Sequence, residues 1–130
     1  MKDSHFSLTT RIERPAPEVW SPLEYGCHVR DVCRVFKGRA VLMLAEDNPT
    51  FPNWDQDATA VEERYGEQDP AEVSVALRGF AHEAADTFAR VAGAQWARRG
   101  TRSNGSAFTM ETLGQYFLHD VAHHLHDVHG

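Results

Sequence analysis

The chain has 130 residues, of which 42% are hydrophobic and 25% are charged. Both fractions are ordinary for globular proteins and exclude a disordered or fibrous chain, and the length suits one domain that spans residues 1–130. Its 13 Lys and Arg residues against 19 Asp and Glu residues give a net charge of −6. Because this charge repels a phosphate backbone, we expect no nucleic-acid partner.

Neither a membrane span nor a signal peptide is visible in the sequence. No apolar stretch approaches the roughly 18 to 20 residues that cross a bilayer, and the N-terminal segment MKDSHFSLTTRIERP lacks the apolar core of a signal peptide. We therefore expect a cytoplasmic protein with no membrane partner. Cys27 and Cys33 are six residues apart in one predicted helix, so their side chains point to different faces and we expect both to stay reduced.

The first predicted helix begins after Ser21 and extends to about Ala45. Ser21 is a good N-cap, a proline follows at the first helical position, and Glu24 completes a capping box. Apolar residues then recur at steps of three, four and seven, as on one face of an amphipathic helix. This apolar stripe contains Tyr25, Val29, Val32, Phe36 and Met43.

Two further amphipathic helices follow. The second begins with Asp69 and Pro70, which repeat the capping chemistry, and continues toward Gly93. The third runs from Thr109 to about Val128. Three long helices predict an all-α fold, an up-down helical bundle. The inward face of the third helix contains Met110, Leu113, Phe117, Val121 and Leu125.

Two connections separate the helices. In the acidic, proline-bearing segment 46–69, residues 57–65 have the pattern of a short helix, and the rest is predicted to be loop. Segment 95–108 predicts a small hairpin in which Asn104 and Gly105 form a two-residue turn. The three arginines of this region predict a solvated arm: Arg98, Arg99 and Arg102.

The end of the chain is rich in histidine, with five of the eight at positions 119, 123, 124, 126 and 129. Side chains four residues apart stack on one helix face and can hold one metal ion, so two pairs compete: His119 with His123, and Asp120 with His124. At 100° per residue, Asp120 and His124 flank the apolar stripe, whereas His119 and His123 point away from it. A solvated helix end with favourable dipole interactions has the same composition, so both explanations stay open.

His28 is a candidate third ligand, because it flanks the apolar stripe of the first helix. Two histidines and a carboxylate leave coordination positions open, as in catalytic rather than closed structural metal sites. Glu24, one turn before His28, and Asp127 are candidates for orienting the ligands. Because long loops that carry aromatic residues often cover sites, we expect the 46–69 connection to lie over or beside this one. The connection's residues expected there are Phe51, Trp54 and Asp55.

Two motifs carry a resemblance to a known family. Residues 20–32 read W-S-P-L-E-Y-G-C-H-V-R-D-V, and residues 119–128 read H-D-V-A-H-H-L-H-D-V. Together they resemble the DinB-like superfamily of helical-bundle metalloproteins. The branch they resemble most is the mycothiol-dependent maleylpyruvate isomerase N-terminal domain.

The resemblance implies a divalent metal held by His28, Asp120 and His124, with zinc as the first choice and nickel as the second. The broader superfamily often uses the earlier position of the last pair, which keeps His119 with His123 as an alternative register. Family chemistry implies a low-molecular-weight thiol as cosubstrate for a transferase or isomerase that acts on a small molecule. The alternative is a metal-binding stress or interaction protein without turnover, because a fold does not fix function.

The sequence departs from the family pattern near its start. Family members carry an additional long helix before the Trp-containing one, whereas about 19 residues precede Trp20 here, and Pro15 and Pro17 break any helix near the junction. We therefore expect the first bundle helix to be missing or much shortened. The apolar faces that it would leave uncovered predict a homodimer, or an N-terminal segment around Phe6 that folds back over them. The dimer contact is expected at stripe residues of the first and second helices, such as Phe36, Met43, Leu77 and Phe80.

Overall fold

The computed structural model describes the backbone of residues 13–129 and the side chains of residues 13–121. Within this range the chain is an all-α bundle of three long helices, a short helix and a small sheet, which confirms the predicted fold class. The helices are α1 (Pro22–Ala45), α2 (Gln56–Glu62), α3 (Pro70–Ala89) and α4 (Met110–His129). Short 3₁₀ helices lie at Tyr65–Glu67 and Gly93–Ala97, and the strands are β1 (Thr50–Phe51), β2 (Arg99–Arg102) and β3 (Ala107–Thr109).

The first two long helices begin where their capping residues predict. The Ser21 hydroxyl accepts a hydrogen bond from the Glu24 backbone N–H (3.1 Å), and the Glu24 carboxylate accepts one from the Ser21 N–H (3.0 Å). Asp69 caps α3 by accepting from the Glu72 N–H. These contacts satisfy backbone donors that a helix start leaves without an internal partner, so local sequence decides both boundaries.

Helix α1 lies at the centre of the bundle and packs against both α3 and α4. It runs parallel to α3. Near its start Gly26 faces Val73, and three turns later the Lys37 ammonium pairs with the Glu83 carboxylate at 2.9 Å. Glycine at position 26 lets the two helices approach, because a Cβ there would already lie 3.6 Å from a Val73 methyl carbon.

Helix α4 runs antiparallel to α1. The Phe36 ring packs on the Phe117 ring with centroids 5.6 Å apart. Two turns further along α1, the Arg98 guanidinium donates to the carbonyl oxygen of Met43, and the Arg98 carbonyl accepts from the Met110 N–H at 2.8 Å. The end of α1 therefore meets the start of α4.

Arg98 also completes the C-terminus of α1. Its guanidinium donates to the Glu46 carbonyl (2.9 Å) as well as to the preceding turn, and α1 has no basic residue in its own last turn. A cation at this position satisfies terminal carbonyls and complements the helix dipole. The prediction that Arg98 belongs to a solvated arm is therefore wrong, whereas Arg99 is exposed as predicted.

The predicted hairpin is present but is part of a three-stranded sheet. Strand β2 pairs antiparallel with β3 and parallel with β1, whose residues 50 and 51 were predicted to be loop. A Cβ at Gly100 would lie 2.8 Å from the Phe51 ring, so glycine permits this close approach. Because the partner of β1 lies about 50 residues away in the chain, no local pattern could reveal the pairing.

The hairpin turn is wider than predicted. Four residues, 103–106, connect β2 to β3, and the Arg102 N–H donates to the Ser106 carbonyl at 2.8 Å. The Asn104 side chain accepts from the Ser106 N–H (3.0 Å), and Gly105 adopts a positive φ of 91°. The two-residue turn predicted for Asn104 and Gly105 is wrong, because the Asn104 side chain stabilises the longer loop through its own hydrogen bond.

The main core lies between α1, α3 and α4. A smaller hydrophobic cluster lies where the start of α1 packs against the 3₁₀ helix Tyr65–Glu67. The main core includes Val32, Phe36, Met43, Ala84, Met110, Leu113 and Phe117. The smaller cluster contains Leu23, Cys27, Tyr65 and Val73.

An apolar groove of about 750 Å³ opens between α3 and α4. Phe88 and Trp96 line it from one side and Gly114 from the other, while Leu118 at its rim is 69% exposed. No helix within the described part of the chain is long and apolar enough to cross a membrane.

Candidate metal centre

His28 is fully buried and contacts two indole rings. Its side chain is 0% exposed. The Trp20 ring lies tilted against the imidazole with centroids 5.1 Å apart, and the Trp54 ring is stacked on it at 5.9 Å with only 7° between the planes. Two aromatic contacts of this kind, together with complete burial, limit the space in which the imidazole can rotate.

The connection that follows α1 brings Trp54 over His28. The indole N–H donates to the Thr59 hydroxyl at 2.8 Å, and the Asp55 carboxylate caps α2 by accepting from the Ala58 N–H at 3.0 Å. Trp54 thus lies against the predicted ligand, as expected. Phe51, by contrast, is buried in the main core.

Trp20, which precedes α1, joins His28 to the aromatic residues around it. Its ring contacts Tyr25 edge-on at 5.5 Å and Tyr65 edge-on at 6.0 Å. Edge-to-face contacts of this kind add to the burial energy of the rings. Trp20 therefore links the imidazole to the smaller hydrophobic cluster below it.

A buried carboxylate lies three residues beyond His28. The Asp31 carboxylate accepts a hydrogen bond of 2.5 Å from the Tyr65 hydroxyl and two of 3.1 Å from the Arg30 guanidinium. It also forms an ion pair with the Arg34 guanidinium at 3.5 Å. The sequence interpretation missed this network. The sequence did contain a signal for it. Asp31 falls on the inward face of the helix, as Cys27 does, and has Arg30 before it and Arg34 three positions after it.

The network controls the protonation of its members. Burial opposes the charge of Asp31, but the hydrogen bonds from Arg30 and Tyr65 outweigh it and hold the pKa of this carboxyl below its usual range. Burial, followed by the bond to the anionic Asp31, raises the pKa of Tyr65. Tyr65 thus stays protonated and acts as a donor.

Both cysteines are buried and free of any disulfide. Burial raises the pKa of the Cys27 thiol to about 11 and that of the Cys33 thiol to about 11. A thiol with so high a pKa is almost entirely protonated at neutral pH. Neither cysteine is therefore suited to act as a nucleophile.

Glu24, considered as an orienting residue for His28, has a different role. Its carboxylate accepts two hydrogen bonds from the Arg14 guanidinium, at 2.8 and 2.7 Å, in addition to the one from Ser21. The hydrogen bond from Arg14 holds the pKa of Glu24 below its ordinary value. Asp127, the other candidate, has a side chain outside the described residues.

On α4, Asp120 is half-buried and His119 is exposed. This difference agrees with the helical-wheel argument that Asp120 faces the interior and His119 faces away. Val121, the next residue, packs against the main core. The side chains of His123 and His124 lie outside the described residues, so the choice between the two registers stays a prediction.

The backbone register places the right part of α4 near His28. Phe36 lies level with Phe117, and the helices are antiparallel, so a step of eight residues back along α1 corresponds to a similar step forward along α4. Residues 124 and 125 of α4 are then level with His28. The backbone turn that carries His124 is thus close to the predicted first ligand along the bundle axis.

Among the side chains of residues 13–121, no three His, Cys, Asp or Glu groups are close enough together to hold a metal ion. Two of the three predicted ligands, His28 and Asp120, fall within that range. Their imidazole nitrogen and carboxylate oxygen are donors that divalent transition metals accept. The third predicted ligand, His124, has its side chain outside the described residues, so the complete donor set stays a prediction.

The family model for the DinB superfamily matches residues 9–128 of the chain. The chain belongs to the DinB superfamily. The match confirms the resemblance carried by the motifs around His28 and Asp120 at the level of the superfamily. The narrower likeness to the mycothiol-dependent branch stays a prediction.

A solved structure supports the DinB fold. YfiT from Bacillus subtilis, described as a probable metal-dependent hydrolase with an unusual four-helix bundle topology, matches with a TM-score of 0.76. The match covers 95% of this chain and 69% of YfiT, at 21% sequence identity. The likeness at that identity is one of fold. No protein of curated function is significantly similar to the chain.

The Asp31 network yields a prediction about stability. Asp31→Asn should lower the free energy of unfolding by roughly 2–4 kcal/mol at pH 7, because the partly buried guanidinium of Arg30 loses its ionic partner. The folded pKa of Asp31 lies below its unfolded value of about 3.9, so its stabilisation is complete above that pH and is lost as the pH falls through the folded pKa. Urea unfolding should therefore show the two proteins converging below about pH 4.

Asp86→Asn is the matched control, because Asp86 is an exposed carboxylate that pairs with Arg90 at 3.0 Å one turn later. Its effect should stay below about 0.5 kcal/mol at every pH. Equal effects of the two substitutions at pH 7 would contradict the role given to the Asp31 network.

Proposed function

We propose that this DinB-superfamily protein binds a divalent metal, zinc in the first place and nickel in the second, through His28, Asp120 and His124. We propose further that it works in the cytoplasm as a thiol-dependent transferase or isomerase on a small molecule. The observation that carries the metal proposal is the buried imidazole of His28, which contacts two indoles and is level along the bundle axis with the turn of α4 that bears His124. The description of YfiT as metal-dependent supports it.

Two imidazoles and one carboxylate form a donor set that suits zinc and leaves coordination positions open. A bound divalent cation supplies Lewis-acid chemistry there, which lowers the pKa of a coordinated thiol or water. The alternative register, His119 with His123, has less support because the His119 side chain is exposed.

The chain's own residues prepare the site. Trp20 and Trp54 pack against the imidazole, and its complete burial shields it from water. Excluding water also strengthens electrostatic interactions within the site. Asp120, half-buried on the facing helix, adds the negative charge that favours a cation.

The two buried cysteines support the proposal that the reacting thiol comes from a cosubstrate and not from the protein. The chain contains two cysteines, and both have a pKa of about 11. The protein cannot readily supply a thiolate of its own at neutral pH. A reaction of a thiol with an electrophile at this site therefore needs a low-molecular-weight thiol as cosubstrate.

A second candidate function is metal binding without turnover, in a stress or interaction protein. The observation that favours it is the complete burial of His28 beneath the indoles, which resembles the closed surroundings of a structural site. The two functions differ in whether the site admits a small molecule.

The metal centre can be tested with cobalt(II), which quenches nearby tryptophan fluorescence. In a variant with Trp20→Phe and Trp96→Phe, Trp54 is the only tryptophan, and saturating cobalt should quench most of its emission because this ring is stacked on His28. Adding His28→Gln or His124→Ala should remove the quenching at the same cobalt concentration. His123→Ala should leave it unchanged.

Trp96 provides the control for proximity, because it lies in the groove near Gly114, well away from the turn of α4 that carries His124. A Trp96-only protein should show little quenching. If His123→Ala abolished quenching and His124→Ala preserved it, the alternative register would be correct.

The reaction can be tested with zinc-loaded protein, a panel of thiols that includes mycothiol and glutathione, and a chromogenic electrophile. We expect thiol consumption to exceed the protein-free rate by at least tenfold with one of the thiols. His124→Ala should abolish the acceleration while leaving the protein folded.

No acceleration by protein that binds zinc stoichiometrically would favour the function without turnover. Hydrolysis of an ester or amide without added thiol would instead replace the thiol chemistry with that described for YfiT. Each result is distinguishable from a failure to bind metal, which the cobalt experiment measures separately.

We also propose that the protein forms a homodimer through the groove between α3 and α4. Apolar surfaces of this kind favour self-association, and Leu118 at the rim is 69% exposed. Light scattering at micromolar concentration should give a dimer mass that Leu118→Glu halves. Val75→Glu, at a residue of α3 that is 66% exposed and does not line the groove, is the control and should leave the mass unchanged. A monomeric wild-type protein would contradict the proposal.

A further inference from the structure

Arg39 is a buried cation near the C-terminal end of α1. The residue is 9% exposed, and its guanidinium carbon lies 5.6 Å from the centroid of the Phe51 ring. One guanidinium nitrogen donates to the carbonyl oxygen of Pro52 at 3.4 Å. Stacking on an aromatic face and one long hydrogen bond compensate only part of the cost of burying a charge.

A second arginine lies beside the first. Arg102 on β2 is half-buried, and its Cα is paired with that of Phe51 across the sheet. Burial and, after it, the neighbouring charge of Arg102 lower the pKa of Arg39. Among the described side chains, no carboxylate forms an ion pair with either guanidinium.

The two arginines line one cavity of about 180 Å³, enclosed by α1, the hairpin and α4. Ser106 and Tyr116, which carry hydroxyl groups, also line it, and none of the lining residues is acidic. The apolar part of the wall includes the rings of Phe36 and Phe108. The cavity thus combines two positive charges, hydroxyl donors and a hydrophobic surface.

We propose that this cavity binds a small organic monocarboxylate with a compact apolar body. The carboxylate would lie between Arg39 and Arg102, because the planar fork of a guanidinium matches a carboxylate in two-point hydrogen bonding. The apolar body would pack against Phe36 and Phe108. An anion in this position supplies the negative charge that the two buried or half-buried guanidiniums lack.

The size of the cavity limits the ligand. A volume of about 180 Å³ holds on the order of six water molecules at roughly 30 Å³ each, which suits an acid of the size of benzoate. The net charge of −6 disfavours a polyanion such as a nucleic acid. The hydrophobic walls favour an organic acid over inorganic phosphate.

The anion cavity is separate from the metal centre. Arg39 follows His28 by eleven residues on the same helix, which corresponds to roughly 16 Å along its axis. The proposal therefore does not depend on the proposed function, and the two can fail independently.

The probe for this site is benzoate, titrated into the full chain and followed by calorimetry and by thermal unfolding at constant ionic strength. We expect saturable binding and a raised melting temperature. Arg102→Gln, at the more accessible of the two positions, should weaken benzoate binding at least tenfold. Arg39→Lys, which keeps the charge and loses the fork, should weaken it as well.

Arg99→Gln is the matched control, because Arg99 is exposed on the same strand and does not line the cavity. It should bind benzoate like the wild type. His28→Gln should also keep benzoate binding, which separates the cavity from a metal that could itself hold a carboxylate.

Three results would overturn the proposal. They are unchanged benzoate binding in Arg102→Gln, loss of binding in His28→Gln with the fold intact, and equal stabilisation by chloride or phosphate at the same ionic strength. The last would show that the arginines attract anions without a defined site.

Discussion

Helix α1 carries polar side chains into the interior of the bundle, and the rest of the structure depends on how they are satisfied. His28, Asp31 and Arg39 are each at most 9% exposed. Burying such groups without partners costs on the order of several kcal/mol each. The 46–69 connection supplies partners for all three, through Trp54, Tyr65, Phe51 and Pro52.

The need to satisfy these buried polar groups explains the path of the 46–69 connection at two places. The cap of α2 by Asp55 holds the chain where Trp54 stacks on His28. The 3₁₀ turn that follows presents the Tyr65 hydroxyl to Asp31. A segment rich in acidic residues and prolines is therefore held both by the polar groups of one helix and by the burial of its own Phe51 and Tyr65 in the two hydrophobic clusters.

The two proposed sites lie at different levels of the same helix and have opposite electrostatic character. At the level of His28 we propose a cation, with Asp120 of the facing helix as one of its ligands. Around Arg39, a second guanidinium without a carboxylate favours an anion. Trp54 and Phe51 connect the levels, because they lie only three positions apart in one chain segment. The connection thus forms part of the wall at both sites.

Local signals in the sequence were sufficient to predict the long helices and to predict which of Asp120 and His119 faces the interior of the bundle. The Ser21 and Asp69 caps act within one turn, so their residues predict the helix starts directly. Helical periodicity also separated the half-buried Asp120 from the exposed His119, because the side of a helix follows from its 100° step. The motifs at residues 20–32 and 119–128 together were enough to indicate the superfamily.

Only the tertiary structure decided what depends on contacts distant in sequence. The pairing of β1 with β2, the capping of α1 by Arg98 and the bond from Tyr65 to Asp31 each join residues more than 30 positions apart. The level of α4 that meets His28 likewise follows from antiparallel packing. The physical reason is that propensities and caps act over a few residues, whereas buried polar groups take their partners from whichever chain segment packing brings beside them.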